Sequence, residues 1–104
     1  MPAGLVLQFN GQTLADYDRV NELLQIDQKS NSGDWPPGLL LHAGGMTEDG
    51  NLCVMEVWES RDAQGRFMQE RLGPALQKGG VTAVPTVTWI DLASFNVPQG
   101  AAAG

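Results

Sequence analysis

The chain has 104 residues, 42% of them hydrophobic, and twelve carboxylates against six basic side chains give it a net charge of −6. That length suits one small domain and the apolar content is too high for a disordered chain. The basic residues are scattered and form no stripe that could follow a phosphate backbone, so nucleic acid and anionic membrane are poor partners. The single cysteine, Cys53, excludes an internal disulfide and fits a reducing compartment, and one thiol with one histidine cannot build a thiolate zinc site.

The N-terminus, MPAGLVLQFNG, lacks a basic n-region and is too short and polar for a signal peptide. No apolar run approaches the roughly 20 residues that span a bilayer. Both point to a soluble, cytoplasmic protein. Residues 4–10 predict a strand ended by a turn at Gly11. Thr13 is a plausible N-cap with Asp16 as the acidic partner of a capping box, and Leu14, Tyr17, Val20 and Leu24, flanked by Leu23, recur at helical spacing. SNSGDWPPG, residues 30–38, reads as a loop because Gly, Ser and two prolines break both periods. Trp35 within it is expected to pack down as a lid on something apolar.

LLLHAGG and NLCVMEVWE predict two strands joined by a three-residue turn, Glu48-Asp49-Gly50, with Gly50 left-handed. Ser60 caps a second helix through RDAQGRFMQERL, with Ala63, Phe67 and Leu72 facing inward. Gly73-Pro74 kinks it, and PALQK ends it at Gly79-Gly80. VPTVTWIDLASF predicts a fourth strand. The order β-α-β-β-α-β gives an α+β, ferredoxin-like fold: an antiparallel four-stranded sheet with both helices on one face. The domain is expected to span residues 1–96, with 97–104 a frayed tail.

Side chains alternate across a strand, so each strand divides into two sets. Leu5, Leu7 and Phe9 with Leu39, Leu41, Ala43, Cys53, Met55, Val57, Thr88, Ile90 and Leu92 are nearly all aliphatic, which assigns them to the helix side. Val6 and Gln8 with Leu40, His42, Val54, Glu56, Trp58, Val87, Trp89 and Asp91 mix apolar groups with one polar group per strand, the composition of a pocket lining. Thr47 paired with Asn51 across the turn puts His42, the only histidine, directly opposite Glu56. A carboxylate there would fix the imidazole tautomer that a general base needs. A His42 on the helix side, sealed among Leu5, Leu41 and Met55, would instead be structural.

At VMEVWESRDAQGRFMQERLGPAL, residues 54–76, the sequence resembles the antibiotic biosynthesis monooxygenase-like branch of the dimeric α/β-barrel superfamily. The match is a strand ending in Glu-x-Trp, then Glu-Ser, then a helix opened by Asp62-Ala63. The resemblance covers about residues 4–96. It implies a homodimer of sheets packed face to face, with Trp58 turned to a cavity. It also implies one of several activities: cofactor-independent oxygenation of aromatic polyketides, cyclisation, isomerisation, haem breakdown, or none. Where many members carry a histidine on the second helix, this chain has Phe67 or its neighbours, which weighs against haem breakdown.

With no nucleotide, flavin or metal motif, no cofactor is expected and the chemistry must rest on proton transfer. His42 oriented by Glu56 is the expected catalytic pair, removing a proton from a small apolar, aromatic substrate. Gln8, Leu40, Val54, Trp58, Trp89, Asp91, Trp35 and Phe67 are the expected substrate-binding residues. The resulting anion would meet dioxygen in an oxygenase, or close a ring or shift a double bond in a cyclase or isomerase. A non-catalytic ligand-binding dimer, and a filled core with a structural His42, remain alternatives. The homodimer is expected to form through the face carrying Val6, Leu40, Val54, Val87 and Trp89.

Overall fold

The structure, a computed structural model, describes residues 2–98. Met1 and residues 99–104 of the tail expected to fray lie outside the described residues. The elements in chain order are β1 (Ala3–Phe9), α1 (Leu14–Leu23), β2 (Ile26–Asp27), β3 (Ser32–Gly33), β4 (Leu39–Met46), β5 (Leu52–Trp58), α2 (Arg61–Phe67), a π-helical turn (Met68–Leu72), α3 (Gly73–Lys78) and β6 (Thr86–Asp91). The main sheet runs β4-β5-β1-β6, antiparallel throughout. This is the ferredoxin-like arrangement expected from the element order.

Local chemistry explains most boundaries. The Thr13 hydroxyl accepts from the Asp16 N–H, and the Asp16 carboxylate accepts from the Thr13 N–H at 2.9 Å, closing the predicted capping box. That backbone bond, and then the Arg19 guanidinium, hold the Asp16 carboxyl below the usual carboxylate range. Gln25, left-handed at φ 61°, ends the first helical segment. The 30–38 loop is not wholly irregular, because Ser32–Gly33 pairs with Ile26–Asp27 in a short ladder. Gly33 permits this at φ 101°, where a Cβ would collide with the Gln25 carbonyl.

The expected kink at Gly73-Pro74 takes a definite form. The Gly73 N–H reaches back to the Met68 carbonyl, widening one turn to π geometry, and a Cβ on Gly73 would stand 2.8 Å from that same oxygen. Pro74 then occupies the first turn of α3, where no N–H is needed.

The assignment of faces needs correction. Leu5 pairs with Glu56 on one side and Trp89 on the other, and Leu7 with Val54 and Val87. The set holding His42, Val54, Glu56, Trp58, Trp89 and Asp91 therefore shares its face with Leu5, Leu7 and Phe9, and that face meets the helices. Val6 and Gln8 belong to the other side. Leu41 of β4, Met55 of β5 and Ile90 of β6 turn away from the helices, being 40%, 53% and 44% exposed, while Leu39 stays on the helix side as expected. Aliphatic character alone misassigned them, since both faces of this sheet carry apolar side chains. The dimer face predicted through Val54 and Trp89 is accordingly wrong, as Val54 is core.

The core lies between sheet and helices, with Leu5 and Trp58 fully buried among Leu7, Phe9, Val20, Leu24, Ala63, Phe67 and Ala75. Leu14, expected to face inward, is half exposed at the start of α1.

Candidate active site

The β4–β5 hairpin places the first two groups. The Thr47 N–H donates to the Asn51 carbonyl at 2.8 Å across the three-residue turn, and the register carries His42 opposite Glu56. Their side chains meet, with Nδ1 of His42 2.8 Å from Oε2 of Glu56. The other carboxylate oxygen, Oε1, accepts from Nε1–H of Trp58 at 2.9 Å. Glu56 is buried and His42 is 13% exposed. A carboxylate accepts only, so its bond to Nδ1 assigns the proton to that nitrogen and leaves Nε2 as the free acceptor.

Tyr17, on the inner stripe of α1, fills that position, its hydroxyl 2.5 Å from Nε2. The phenol donates and the imidazole accepts. The two rings lie nearly parallel, with 2° between their planes. Burial holds the Tyr17 phenol above its ordinary pKa of 10.0; the adjacent Gln28 amide opposes this and the Glu56 carboxylate adds to it. Gly44 makes the approach possible, because a Cβ there would stand 2.5 Å from the Tyr17 oxygen. The result is a continuous chain, Tyr17 to His42 to Glu56 to Trp58.

This chain borders a cavity of about 60 Å³ between sheet and helices, walled by Leu7 and Phe9 of β1, Val20 of α1 and Leu24 just after it, Val54 of β5, Phe67, Leu72 and Leu76. Its lining is overwhelmingly apolar, which strengthens any electrostatic interaction inside it. Trp35 and Pro36 close one side, with the Trp35 ring 5.5 Å from that of His42. A wider outer cleft of about 320 Å³ lies beyond, lined by Asn31, Trp35, Leu39, Leu40, Leu41 and His42. The bulge at Leu40 shifts the alternation of β4, so that Leu39 and His42, three residues apart, both border the cavity.

Of the residues read from sequence, His42, Glu56, Val54, Trp35 and Phe67 line the cavity together. The others do not. Gln8 is on the opposite face and bonds Asn10. Leu40 is bulged outward to the cleft. Trp58 is fully buried, its N–H committed to Glu56, so it supports the site from behind. Trp89 and Asp91 sit at the far edge of the sheet, where Arg61 lies over the indole and pairs with the carboxylate. His42 is on the helix side, contrary to expectation, but Leu41 and Met55, which would have sealed it, are on the other face.

Tyr17 and Gly44 were missed as site residues. The signal for Tyr17 was present: the only tyrosine lies on the inward helical stripe, and a buried phenol needs a partner. Among the described residues no cluster of three or more His, Cys, Asp or Glu side chains is placed to hold a metal, and no helix is long and apolar enough to cross a membrane.

No protein-family model and no curated protein matches the sequence. Solved structures match in fold. A protein of unknown function from Nitrosomonas europaea superposes with a TM-score of 0.66 at 15% identity, covering 95% of this chain and 96% of that one. A variant of SnoaB, a cofactor-independent oxygenase from Streptomyces nogalater, gives 0.62 at 13% identity, covering 90% and 95%. A monooxygenase from the gene ActVA-Orf6 of Streptomyces coelicolor, in complex with the ligand nanaomycin D, gives 0.60 at 18%, covering 93% and 92%. The chain thus has the fold of antibiotic biosynthesis monooxygenase-like proteins.

Proposed function

We propose that the protein is a cofactor-independent oxygenase that removes an acidic proton from an apolar aromatic substrate in the sheet–helix cavity and lets the anion react with dioxygen. The observation that carries this reading is the Tyr17–His42–Glu56 chain ending on the wall of an apolar cavity. The fold likeness to oxygenases that need no cofactor supports it.

Proton transfer runs inward. The substrate's C–H or O–H proton passes to the Tyr17 oxygen as the phenolic proton passes to Nε2 of His42. Tyr17 ends neutral, which suits a phenol that burial keeps protonated, and the imidazolium formed is balanced by Glu56. For an activated methylene, the carbanion then transfers electrons to dioxygen and forms a C–O bond. His42 returns its proton to give a hydroperoxide. Loss of the second C–H proton breaks the O–O bond, leaving a carbonyl and water. The sum is one methylene and one dioxygen to one carbonyl and one water.

The test is an oxygen electrode with anthrone, whose methylene is acidified by its carbonyl and two rings. The reading expects equimolar oxygen uptake and anthraquinone formation, catalysed by the protein and lost in His42→Ala. Turnover of an acidic substrate without oxygen uptake would assign the same groups to isomerisation or cyclisation instead. We also infer that the protein is a homodimer through the outer sheet face of Leu41, Met55 and Ile90, since the helices cover only the other side.

A further inference from the structure

The inner cavity poses a size problem. A buried apolar cavity of about 150 Å³ admits a benzene ring, whereas this one offers about 60 Å³. Any aromatic ligand must therefore enlarge it. The wall that separates it from the 320 Å³ outer cleft is built mainly by Trp35, Leu39 and His42, which border both spaces. His42 and Leu39 belong to the sheet, whereas Trp35 sits on the 30–38 loop between two prolines and Asp34. The movable part of the partition is Trp35.

Trp35 carries a second anomaly. Its indole nitrogen is buried and has no hydrogen-bond partner. A buried donor without an acceptor is costly, so native structures rarely leave one without a reason. The other polar groups at this wall are occupied: His42 by Tyr17 and Glu56, and Glu56 by Trp58. None of these groups receives the indole proton.

We propose that Trp35 is the specificity-determining residue of this site: it swings to join the cavity and the cleft into one chamber, and its N–H then binds an acceptor oxygen of the ligand. The inference rests on the reading of the cavity as a ligand site and adds the class of ligand, a planar molecule too large for the inner cavity alone, carrying a carbonyl or phenolic oxygen near its reacting position. An oxygen held there lies beside His42, so the N–H stabilises negative charge that builds on it as the proton leaves. The Arg71 guanidinium, which donates to the Asp34 and Leu24 carbonyls at 2.7 and 2.9 Å, anchors the residue before Trp35 and confines the motion to the indole and its neighbours.

The test uses two probes that differ by one acceptor, 1-indanone and indane, with affinities measured by titration calorimetry on the wild type and on Trp35→Phe. Phenylalanine keeps an aromatic wall and removes the N–H. The indanone-to-indane affinity ratio should fall about tenfold in the variant, the worth of one hydrogen bond to a buried donor. In ¹H–¹⁵N spectra, the indole signal missing from Trp35→Phe should shift with both probes as the ring moves, and further downfield with indanone than with indane. An unchanged ratio, or an indole signal indifferent to the carbonyl, would overturn the role of Trp35 while leaving the cavity as a ligand site. Failure of both probes to bind at millimolar concentration would overturn both.

Discussion

Gly44 and Tyr17 meet across the gap between β4 and α1 so closely that a single methyl group on the glycine would stand 2.5 Å from the phenolic oxygen. The glycine is thus part of the proton-transfer geometry although it has no chemistry of its own. Gly44→Ala should push the Tyr17 hydroxyl away from His42. Misplacement of about 1 Å in a reacting group costs roughly 100-fold in rate, and overpacking costs about 1–3 kcal/mol in stability. Steady-state kinetics beside thermal unfolding will separate the two, and an unchanged kcat would mean that the contact is mere packing.

Glu56→Gln is expected to be more damaging than the loss of one charge suggests. The amide keeps one acceptor, which Trp58 takes, and turns its NH₂ toward Nδ1 of His42. The imidazole must then shift its proton to Nε2, where it faces the Tyr17 hydroxyl as a donor. A base in the wrong tautomer loses on the order of 10³- to 10⁴-fold in kcat. The cavity and the fold should persist, as circular dichroism will show.

The chain has one tyrosine, so alkaline titration at 295 nm reads Tyr17 alone. Its midpoint should lie above 10.0, because burial favours the neutral phenol. A group whose folded pKa is raised stabilises the native state below its unfolded value and loses that contribution as pH rises through the folded one. Stability should therefore fall above pH 10, in step with the absorbance. A midpoint at or below 10.0 would place the phenol in water.

Much of this arrangement was legible from residue spacing. The turn Glu48-Asp49-Gly50 set the hairpin register, and the register alone brought His42 to Glu56. What failed was the choice of which face meets the helices. Alternation tells which residues of one strand share a face, but relating β1 to β5 requires their pairing, which joins residues about fifty positions apart. The polar groups of the inner face looked unsuited to a core because the cavity that accommodates them is made by packing. Tyr17 was read as one more apolar position of α1, since nothing in its spacing says that its hydroxyl reaches β4. The bulge at Leu40 was invisible for a similar reason: three leucines in a row carry no alternation to interrupt.

The outer sheet face yields a separate expectation. Leu41 on β4, Met55 on β5 and Ile90 on β6, beyond β1, lie exposed on one sheet face, and a second copy of the sheet would cover them. Light scattering at micromolar concentration should give the mass of a dimer, and Met55→Glu should halve it, because a charge buried opposite an apolar sheet has no partner. A monomeric wild type would remove the dimer from the account.

Proton removal precedes every later step, so it can be measured without oxygen. In anaerobic D₂O, NMR follows exchange of the anthrone methylene protons with solvent, apart from any oxidation. The wild-type protein should accelerate this exchange over buffer, and His42→Ala, folded and still able to bind anthrone, should return it to the buffer rate. Exchange as fast in His42→Ala as in the wild type would contradict the assignment of Tyr17, His42 and Glu56 as the route of the proton.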